Sequence, residues 1–348
     1  MAFDIGDISI EKLIGLSVGF FTPMNGGKTK AVVGELERSI HSGRNVMAYN
    51  SFVNIRDENN LVVDGRYKFP AKGAESVLFI KYDLERRRKI IMSRNVAHQG
   101  KNGDIVIDGI KHKKYKPLSA IAIDEVNLFC LTEKDTEDII GFIDWCKHND
   151  FVLYVSGLLY DFRQRDFGYV RSILPYINFK QERKPVCKAI KINGEQCNNT
   201  ALHTQRLWRL DFVKEVGLET LIDEMEIFCF SDKKGKDRFD AYVPAPFFDK
   251  TVRIEEAKDG RNIYLPVCGE CARLPYKEEV FRVYDAIIKR KDLVEVEKNH
   301  ILREAIISFL SDSKEGWVEK ISNPQKGDDR LVPINYYRNR IGCYSPKK

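Results

Sequence analysis

The chain has 348 residues, of which 43% are hydrophobic and 31% charged, and a net charge of +6. This composition is typical of a globular protein of two or three domains and argues against a long disordered region. The apolar stretch over residues 14–21 is too short to span a bilayer and runs into a glycine-rich turn, so we expect a cytoplasmic protein without a signal peptide or membrane anchor.

The first predicted unit is a strand, a loop, a helix and a second strand. Residues 13–21 are apolar and predict a buried strand, and residues 46–49 predict the next one. Between them, apolar residues recur at helical spacing until Gly43 ends the helix: Val32, Val33, Leu36 and Ile40. A strand–helix–strand unit of this kind predicts a parallel sheet.

The loop of this unit has the composition of a phosphate-binding turn. Small residues allow backbone N–H groups to face phosphate oxygens at a helix N-terminus, where Lys28 would reach the outer phosphates and Thr29 would offer a hydroxyl to Mg²⁺. The alternative is a glycine-rich turn without a ligand. The predicted ATP-binding residues are Thr22, Pro23, Met24, Asn25, Gly26, Gly27, Lys28 and Thr29.

The segment from residue 51 to residue 116 is less regular. Residues 77–82 predict a strand. Residues 111–116 hold four lysines and a histidine, which we interpret as a solvated loop rather than a nucleic-acid-binding patch.

A second unit follows, with strands predicted at 120–123 and 151–155 and a helix capped by Thr132 between them. We therefore predict one α/β nucleotide-binding domain over residues 1–185, with ligands at the carboxyl ends of the strands. Asp124 could hold Mg²⁺ there. Glu125 could accept a proton from an attacking hydroxyl or, in an ATPase, polarise water.

Four of the eight cysteines are paired in sequence: Cys187, Cys197, Cys268 and Cys271. They predict a structural four-thiolate zinc site, with His203 as a possible replacement ligand. The alternative is two buried thiols and an unrelated C-x-x-C pair. Cys130 and Cys146 are predicted core residues.

The remaining chain divides into two predicted regions. Residues 186–277 form a zinc-binding domain with a polar insert at about 208–253, and residues 278–348 form a helical extension. Two helices are predicted in that extension, one over 280–288 and one over 301–309.

Four blocks resemble the type II thymidine kinases, which transfer the γ-phosphate of ATP to thymidine. Residues 22–29 resemble the family's glycine loop, and Ile121-Ala-Ile-Asp-Glu125-Val-Asn-Leu-Phe129 resembles its I-D-E-x-Q-F-F block, with Asn127 in place of glutamine. Residues 157–168 resemble its G-L-x-x-x-F-x-x-x-x-F-G segment. Thr204-Gln-Arg206 and residues 260–268 resemble its zinc-bound lasso.

The resemblance implies roles for residues in these blocks. Glu125 would be the base for the 5′-hydroxyl, and Arg163 would lie near the transferred phosphate. The thymine pocket would be bordered by Met24, Phe162, Thr204 and Tyr264, with Phe167 packed nearby. Family members are commonly tetramers. The family's D-x-R element has two candidate positions here, residues 54–56 and residues 84–86.

We therefore expect an ATP- and Mg²⁺-dependent thymidine kinase of nucleotide salvage. Its fold would be an α/β parallel sheet with a lasso held by structural zinc and a helical C-terminal extension. Its expected partners are thymidine and ATP, and nucleic acid is an unlikely one. Two alternatives stay open: an ATPase acting on nucleic acid, and a non-catalytic nucleotide sensor on the kinase fold.

Overall fold

The computed structural model describes residues 8–52, 60–63, 67–93, 103–190, 196–215, 228–231, 239–247, 262–294, 297 and 301. The chain forms two compact units. The first comprises residues 1–185 and 200–204, and the second comprises residues 186–199 and 205–348. The three-part division expected from the sequence stays a prediction.

The first unit is built on a six-stranded sheet. Its strands, in chain order, are β1 (Ser17–Phe21), β2 (Asn45–Ser51), β5 (Lys72–Ala74), β8 (Leu118–Ile123), β9 (Val152–Gly157) and β10 (Phe179–Glu182). Their order across the sheet is β10-β1-β9-β8-β2-β5, and every neighbouring pair is parallel. The predicted parallel α/β fold is confirmed.

Both faces of the sheet are covered, which explains why its central strands are almost continuously apolar. Every residue of β1, β2, β8 and β9 is buried. Alternate side chains enter two separate cores: Met47 of β2 packs in one and Ala48 in the other. The covering helices are α1 (Ile10–Leu13), α2 (Lys28–His41), α3 (Val77–Met92), α4 (Glu133–His148) and α5 (Val170–Ile173).

The ends of α2 and α4 follow from local chemistry. Gly43 adopts a positive φ of 75° just after α2, as predicted for the end of that helix. The Thr132 hydroxyl caps α4 by accepting a hydrogen bond from the Asp135 backbone N–H, and the Asp135 carboxylate accepts one from the Thr132 backbone N–H.

The strand predicted at 77–82 is wrong, because these residues begin helix α3. Ser76 caps the helix by accepting a hydrogen bond from the Phe79 backbone N–H at 3.2 Å. The buried positions of α3 recur every three or four residues, which is the helical period: Val77, Ile80, Asp83, Leu84, Arg87 and Ile91.

Two hairpins extend the first unit, β3 (Asn60–Val63) with β4 (Tyr67–Pro70), and β6 (Asp104–Ile107) with β7 (Ile110–Lys113). Strand β7 includes the start of the basic cluster that we expected to be a solvated loop. His112 is buried on this strand, and burial, together with the nearby charge of Arg87, lowers its pKa to about 4. The cluster is therefore only partly a solvated surface.

The second unit contains a four-stranded sheet of order β12-β13-β11-β14. Its strands are β11 (His203–Arg209), β12 (Phe228–Ser231), β13 (Phe239–Pro244) and β14 (Asn262–Val267), and its helices are α6 (Leu210–Glu215) and α7 (Lys277–Ile288). Helix α7 confirms the helix predicted over 280–288. The helix predicted over 301–309 falls outside the described residues, apart from position 301.

In the part of the chain that the structure describes, none of the helices has the length and apolar character needed to cross a membrane.

Candidate nucleotide site and cysteine cluster

The glycine loop joins β1 to α2 and buries its lysine. Gly27 takes a left-handed conformation with a φ of 82°, and helix α2 begins at Lys28, which is 5% exposed. A left-handed residue at this point allows the chain to turn sharply into the helix. The loop thus has the geometry of a phosphate-binding turn.

Thr22, where such loops usually have a smaller residue, is accommodated by Gly26. A Cβ at position 26 would lie 1.9 Å from the Thr22 Oγ1 atom, so no larger residue fits there without displacing Thr22. The Thr22 hydroxyl is itself buried and has no hydrogen-bond partner among the described residues. A buried hydroxyl of this kind is available to a ligand in the loop.

The acidic end of β8 meets this loop. The Thr29 hydroxyl donates a hydrogen bond to Asp124 Oδ2 at 2.8 Å, and the Ser156 hydroxyl donates to the other carboxylate oxygen. The Lys28 ammonium lies 3.8 Å from Glu125 Oε1. A hydroxyl and a carboxylate are oxygen ligands of the kind that Mg²⁺ prefers, so Thr29 and Asp124 fit this cation.

Glu125 has a strained backbone. Its φ is 51°, in the left-handed region that glutamate rarely adopts, and its side chain is only 14% exposed. Strain of this kind costs about 1–3 kcal/mol and is concentrated at functional sites. Because the chain turns here directly after β8, the Glu125 carboxylate lies beside Lys28 and is held at the loop.

Asn127 is a residue of this site to which sequence reasoning gave no role. Its side-chain oxygen accepts a hydrogen bond from the Leu158 backbone N–H at 3.0 Å, and the residue is 1% exposed. It therefore ties the turn after Glu125 to the end of β9. The one feature of the sequence that drew attention to this position was the asparagine in place of the family's glutamine.

Gly157 makes this close approach possible. A Cβ at position 157 would lie 2.8 Å from Asn127 Oδ1 and 2.9 Å from the Val126 side chain. We expect Gly157→Ala to lower the free energy of unfolding by about 1–3 kcal/mol, since overpacking in a rigid environment forces atoms apart. Urea denaturation would measure this change.

Gly34→Ala is the matched control, because a Cβ at position 34 of helix α2 meets, apart from the backbone of its own helix, no atom of the described residues within 4 Å. That substitution should leave stability unchanged or raise it. Equal stability of the Gly157→Ala variant and the unaltered protein would show that the two segments are not closely packed.

Four of the five residues predicted to border or support the thymine pocket lie at the loop or in the segment after β9. The Met24 backbone N–H donates a hydrogen bond to Thr204 Oγ1 at 3.0 Å. Phe162 and Phe167 are buried in the segment after β9. A cleft beside the loop is lined by Thr22, Leu158, Tyr160, Arg183 and Thr204, among others.

Arg163, predicted near the transferred phosphate, is 2% exposed. Its guanidinium lies 3.1 Å from the Asp161 carboxylate and 4.3 Å from the centre of the Phe162 ring. It is thus held by its own segment. Tyr264 belongs to the second unit, where its ring lies 5.7 Å from the Arg206 guanidinium, and its role stays a prediction.

The four paired cysteines form one cluster in the second unit. Their sulfur atoms all lie within 4.8 Å of one another, and the Cys197 and Cys268 sulfurs are 3.7 Å apart. Four thiolates at such distances suit tetrahedral zinc. The four cysteines supply all four ligands of a tetrahedral site, so His203, considered above as a replacement ligand, is not needed.

The wide spacing of Cys187 and Cys197 is explained by a chain reversal. Residues Ile190 and Gln196 pair as an antiparallel bridge, and the Cys197 backbone N–H donates to the Ala189 carbonyl at 2.9 Å. Burial acts to raise the pKa of Cys268, but hydrogen bonds from Cys271 and Cys197 outweigh it and lower this pKa to about 7. Such a thiol readily provides a thiolate ligand.

Comparison with known proteins agrees with this geometry. The sequence model of the thymidine kinase family matches residues 65–223. A thymidine kinase of Mesoplasma florum is 25% identical over 185 residues, which cover 53% of this chain and 72% of that protein. A thymidine kinase of Mycoplasma mobile is 28% identical over 127 residues, covering 36% of this chain and 57% of that protein.

Over residues 65–223 the chain is thus similar to the thymidine kinase family.

The stretch matched to the thymidine kinase family includes Asp124 and Glu125, the segment after β9, and Thr204. The glycine loop and the Cys268–Cys271 pair lie outside this stretch. Their relation to the rest of the site depends on the structure, which joins Thr29 to Asp124 and brings Cys268 next to Cys197.

The D-x-R element of the thymidine kinase family has no clear equivalent among the described residues. Positions 54–56 lie outside them. Arg86, in the other candidate, lies on α3 and forms ion pairs with Asp83 and Asp108. A partly exposed arginine that is paired with two carboxylates is typical of a structural ion-pair network.

Proposed function

We propose that this protein phosphorylates the 5′-hydroxyl of thymidine with ATP, as a deoxynucleoside kinase of cytoplasmic nucleotide salvage. The observation that carries the proposal is the convergence of Lys28, Thr29, Asp124 and Glu125 at one end of the parallel sheet. The similarity to the thymidine kinase family supports the same reaction, since both relatives are named thymidine kinases.

The glycine loop would hold the phosphates of ATP. Backbone N–H groups at the start of α2 and the buried Lys28 ammonium would neutralise the negative charge of the transferring group. Thr29 and Asp124 would hold Mg²⁺, which supplies further positive charge to the phosphate oxygens when bound.

Glu125 would accept the proton of the 5′-hydroxyl as the oxygen attacks. The left-handed turn after β8 places this carboxylate within 3.8 Å of the Lys28 ammonium, which is itself the expected neighbour of the γ-phosphate. In that position the Glu125 carboxylate would lie between the phosphate donor and the nucleoside that accepts the phosphate.

The acceptor would lie against Met24, Phe162, Phe167 and Thr204, and Tyr264 stays a predicted nucleoside-binding residue on the family resemblance alone. Apolar and aromatic side chains with few polar groups are typical of a nucleobase pocket. The Thr204–Met24 hydrogen bond links this predicted pocket to the phosphate loop within the first unit. The four cysteines would hold zinc as a structural support of the lasso. A homotetramer is proposed on the family resemblance alone.

The test is to incubate purified protein with γ-labelled ATP and each of the four deoxynucleosides, with and without a chelator of Mg²⁺. Label should pass to thymidine, the chelator should abolish the transfer, and Lys28→Ala should abolish it as well. ATP hydrolysis that is stimulated by DNA, with no nucleoside consumed, would favour the ATPase alternative instead. Tight ATP binding without any turnover would favour the nucleotide sensor.

A further inference from the structure

Arg183 lies beside the glycine loop because of the register of the edge strand. Glu182, the last residue of β10, pairs with Phe21, the last residue of β1. The next backbone N–H, that of Arg183, donates to the Phe21 carbonyl at 3.2 Å. The pairing therefore continues one residue beyond the strand and brings Arg183 level with Thr22, where the loop begins.

The guanidinium reaches across this loop to its glycine turn. A Cβ at Gly27 would lie 3.9 Å from the Arg183 Nη1 atom, the one contact within 4 Å that the described part of the chain offers beyond the adjoining residues. Arg183 also lines the cleft to which Thr22 and Thr204 contribute. The guanidinium is thus close to the residue immediately before Lys28.

No residue that the structure describes neutralises the charge of Arg183. Its side chain is exposed and forms no hydrogen bond or ion pair with any residue that the structure describes. Arg163, the arginine predicted to lie near the transferred phosphate, is instead buried and paired with Asp161. An unpaired cation beside an anion-binding turn raises the local positive potential, which attracts a polyphosphate.

We propose that Arg183 is a further nucleotide-binding residue that contacts the β- and γ-phosphates of the bound triphosphate. The proposal rests on the proposed function of the same loop. A guanidinium presents a planar fork of N–H donors that can bind two phosphate oxygens at once. Lys28 would act as a buried point charge, and the Arg183 guanidinium would reach the phosphates from the cleft beside the loop.

The experiment compares the affinities of AMP-PNP, a non-hydrolysable ATP analogue, and of AMP for four proteins by calorimetric titration with Mg²⁺. The proteins are the unaltered chain, Arg183→Ala, Arg183→Lys and Lys180→Ala. Lys180 is the matched control, because it is an exposed cation on the same strand whose ammonium is bound to the Leu174 and Ile177 carbonyls.

Arg183→Ala should weaken AMP-PNP binding about tenfold, the effect of losing one hydrogen-bonded charge, and should leave AMP binding unchanged. Arg183→Lys should lose less, since it keeps the charge but not the fork. Lys180→Ala should bind AMP-PNP as the unaltered protein does.

Equal AMP-PNP affinity for Arg183→Ala and the unaltered protein would overturn the assignment of Arg183. Equal losses for AMP-PNP and AMP would also overturn it, because they would indicate stacking on the base rather than contact with outer phosphates. Failure of the unaltered protein to bind AMP-PNP would be a different result, since it would refute the nucleotide site as a whole.

Discussion

Replacing Glu125 by glutamine is expected to lower kcat for thymidine phosphorylation by about 10²- to 10⁴-fold, the usual contribution of a general base. Glutamine has nearly the same shape as glutamate but cannot accept the proton of the attacking hydroxyl. Since the phosphate loop and Asp124 are unchanged, binding of ATP should stay close to that of the unaltered protein.

The measurement is steady-state kinetics with thymidine, combined with titration of AMP-PNP to follow nucleotide binding separately. Glu133→Gln is the matched control, because Glu133 is an exposed carboxylate at the start of α4 and should tolerate the same change without loss of activity. Turnover by Glu125→Gln at the rate of the unaltered protein would remove Glu125 from the mechanism.

The second large effect concerns the cysteine cluster. Cys271→Ser is expected to abolish stoichiometric zinc binding and to destabilise the second unit strongly. Structural zinc sites contribute about 10 kcal/mol or more of apparent binding free energy in small peptides, and this energy is coupled to folding. A three-thiolate remnant would lose much of that contribution.

Zinc content by atomic emission, together with thermal unfolding in the presence and absence of a chelator, would check this prediction. Cys130→Ala is the control, because Cys130 is a fully buried thiol outside the cluster. It should lose some stability through a core cavity yet keep its zinc. Full zinc occupancy in Cys271→Ser would show that the four sulfurs do not act together as one site.

Much of the first unit could be predicted from the sequence, because its central strands are buried on both faces. The runs over 17–21, 118–123 and 152–157 are nearly continuous in apolar residues, and such runs between turn signals have few alternatives. The glycine loop and Asp124 follow two of these strands directly, so their meeting at one edge of the sheet could be foreseen.

Helix α3 could not be predicted in the same way, because its buried face is not wholly apolar. Asp83 and Arg87 are both buried on that face and bonded to each other at 2.7 Å. Their partners, such as Tyr49, come from distant parts of the chain. In the sequence alone, Asp83 and Arg87 suggest an exposed surface. The apolar run over residues 77–82 therefore suggested a short strand that ends before them.

Two further contacts could not be predicted from the sequence, that of Asn127 with Gly157 and that of Arg183 with Gly27. Each joins residues that are far apart in the chain, and each depends on strand register rather than on residue type. Similarly, the nine residues between Cys187 and Cys197 fit a metal site only because the chain reverses between them.

The path of the chain between the two units has a practical consequence for dissecting the protein. Residues 200–204 return to the α/β unit after the first pair of cysteines, and Thr204 then supplies the oxygen that holds the Met24 amide. A fragment ending at residue 185 would thus keep the phosphate loop but lack the Thr204 hydroxyl that accepts the hydrogen bond from its Met24 backbone N–H. Experiments that separate the roles of the two units should therefore use the whole chain and inactivate one unit at a time by point substitution.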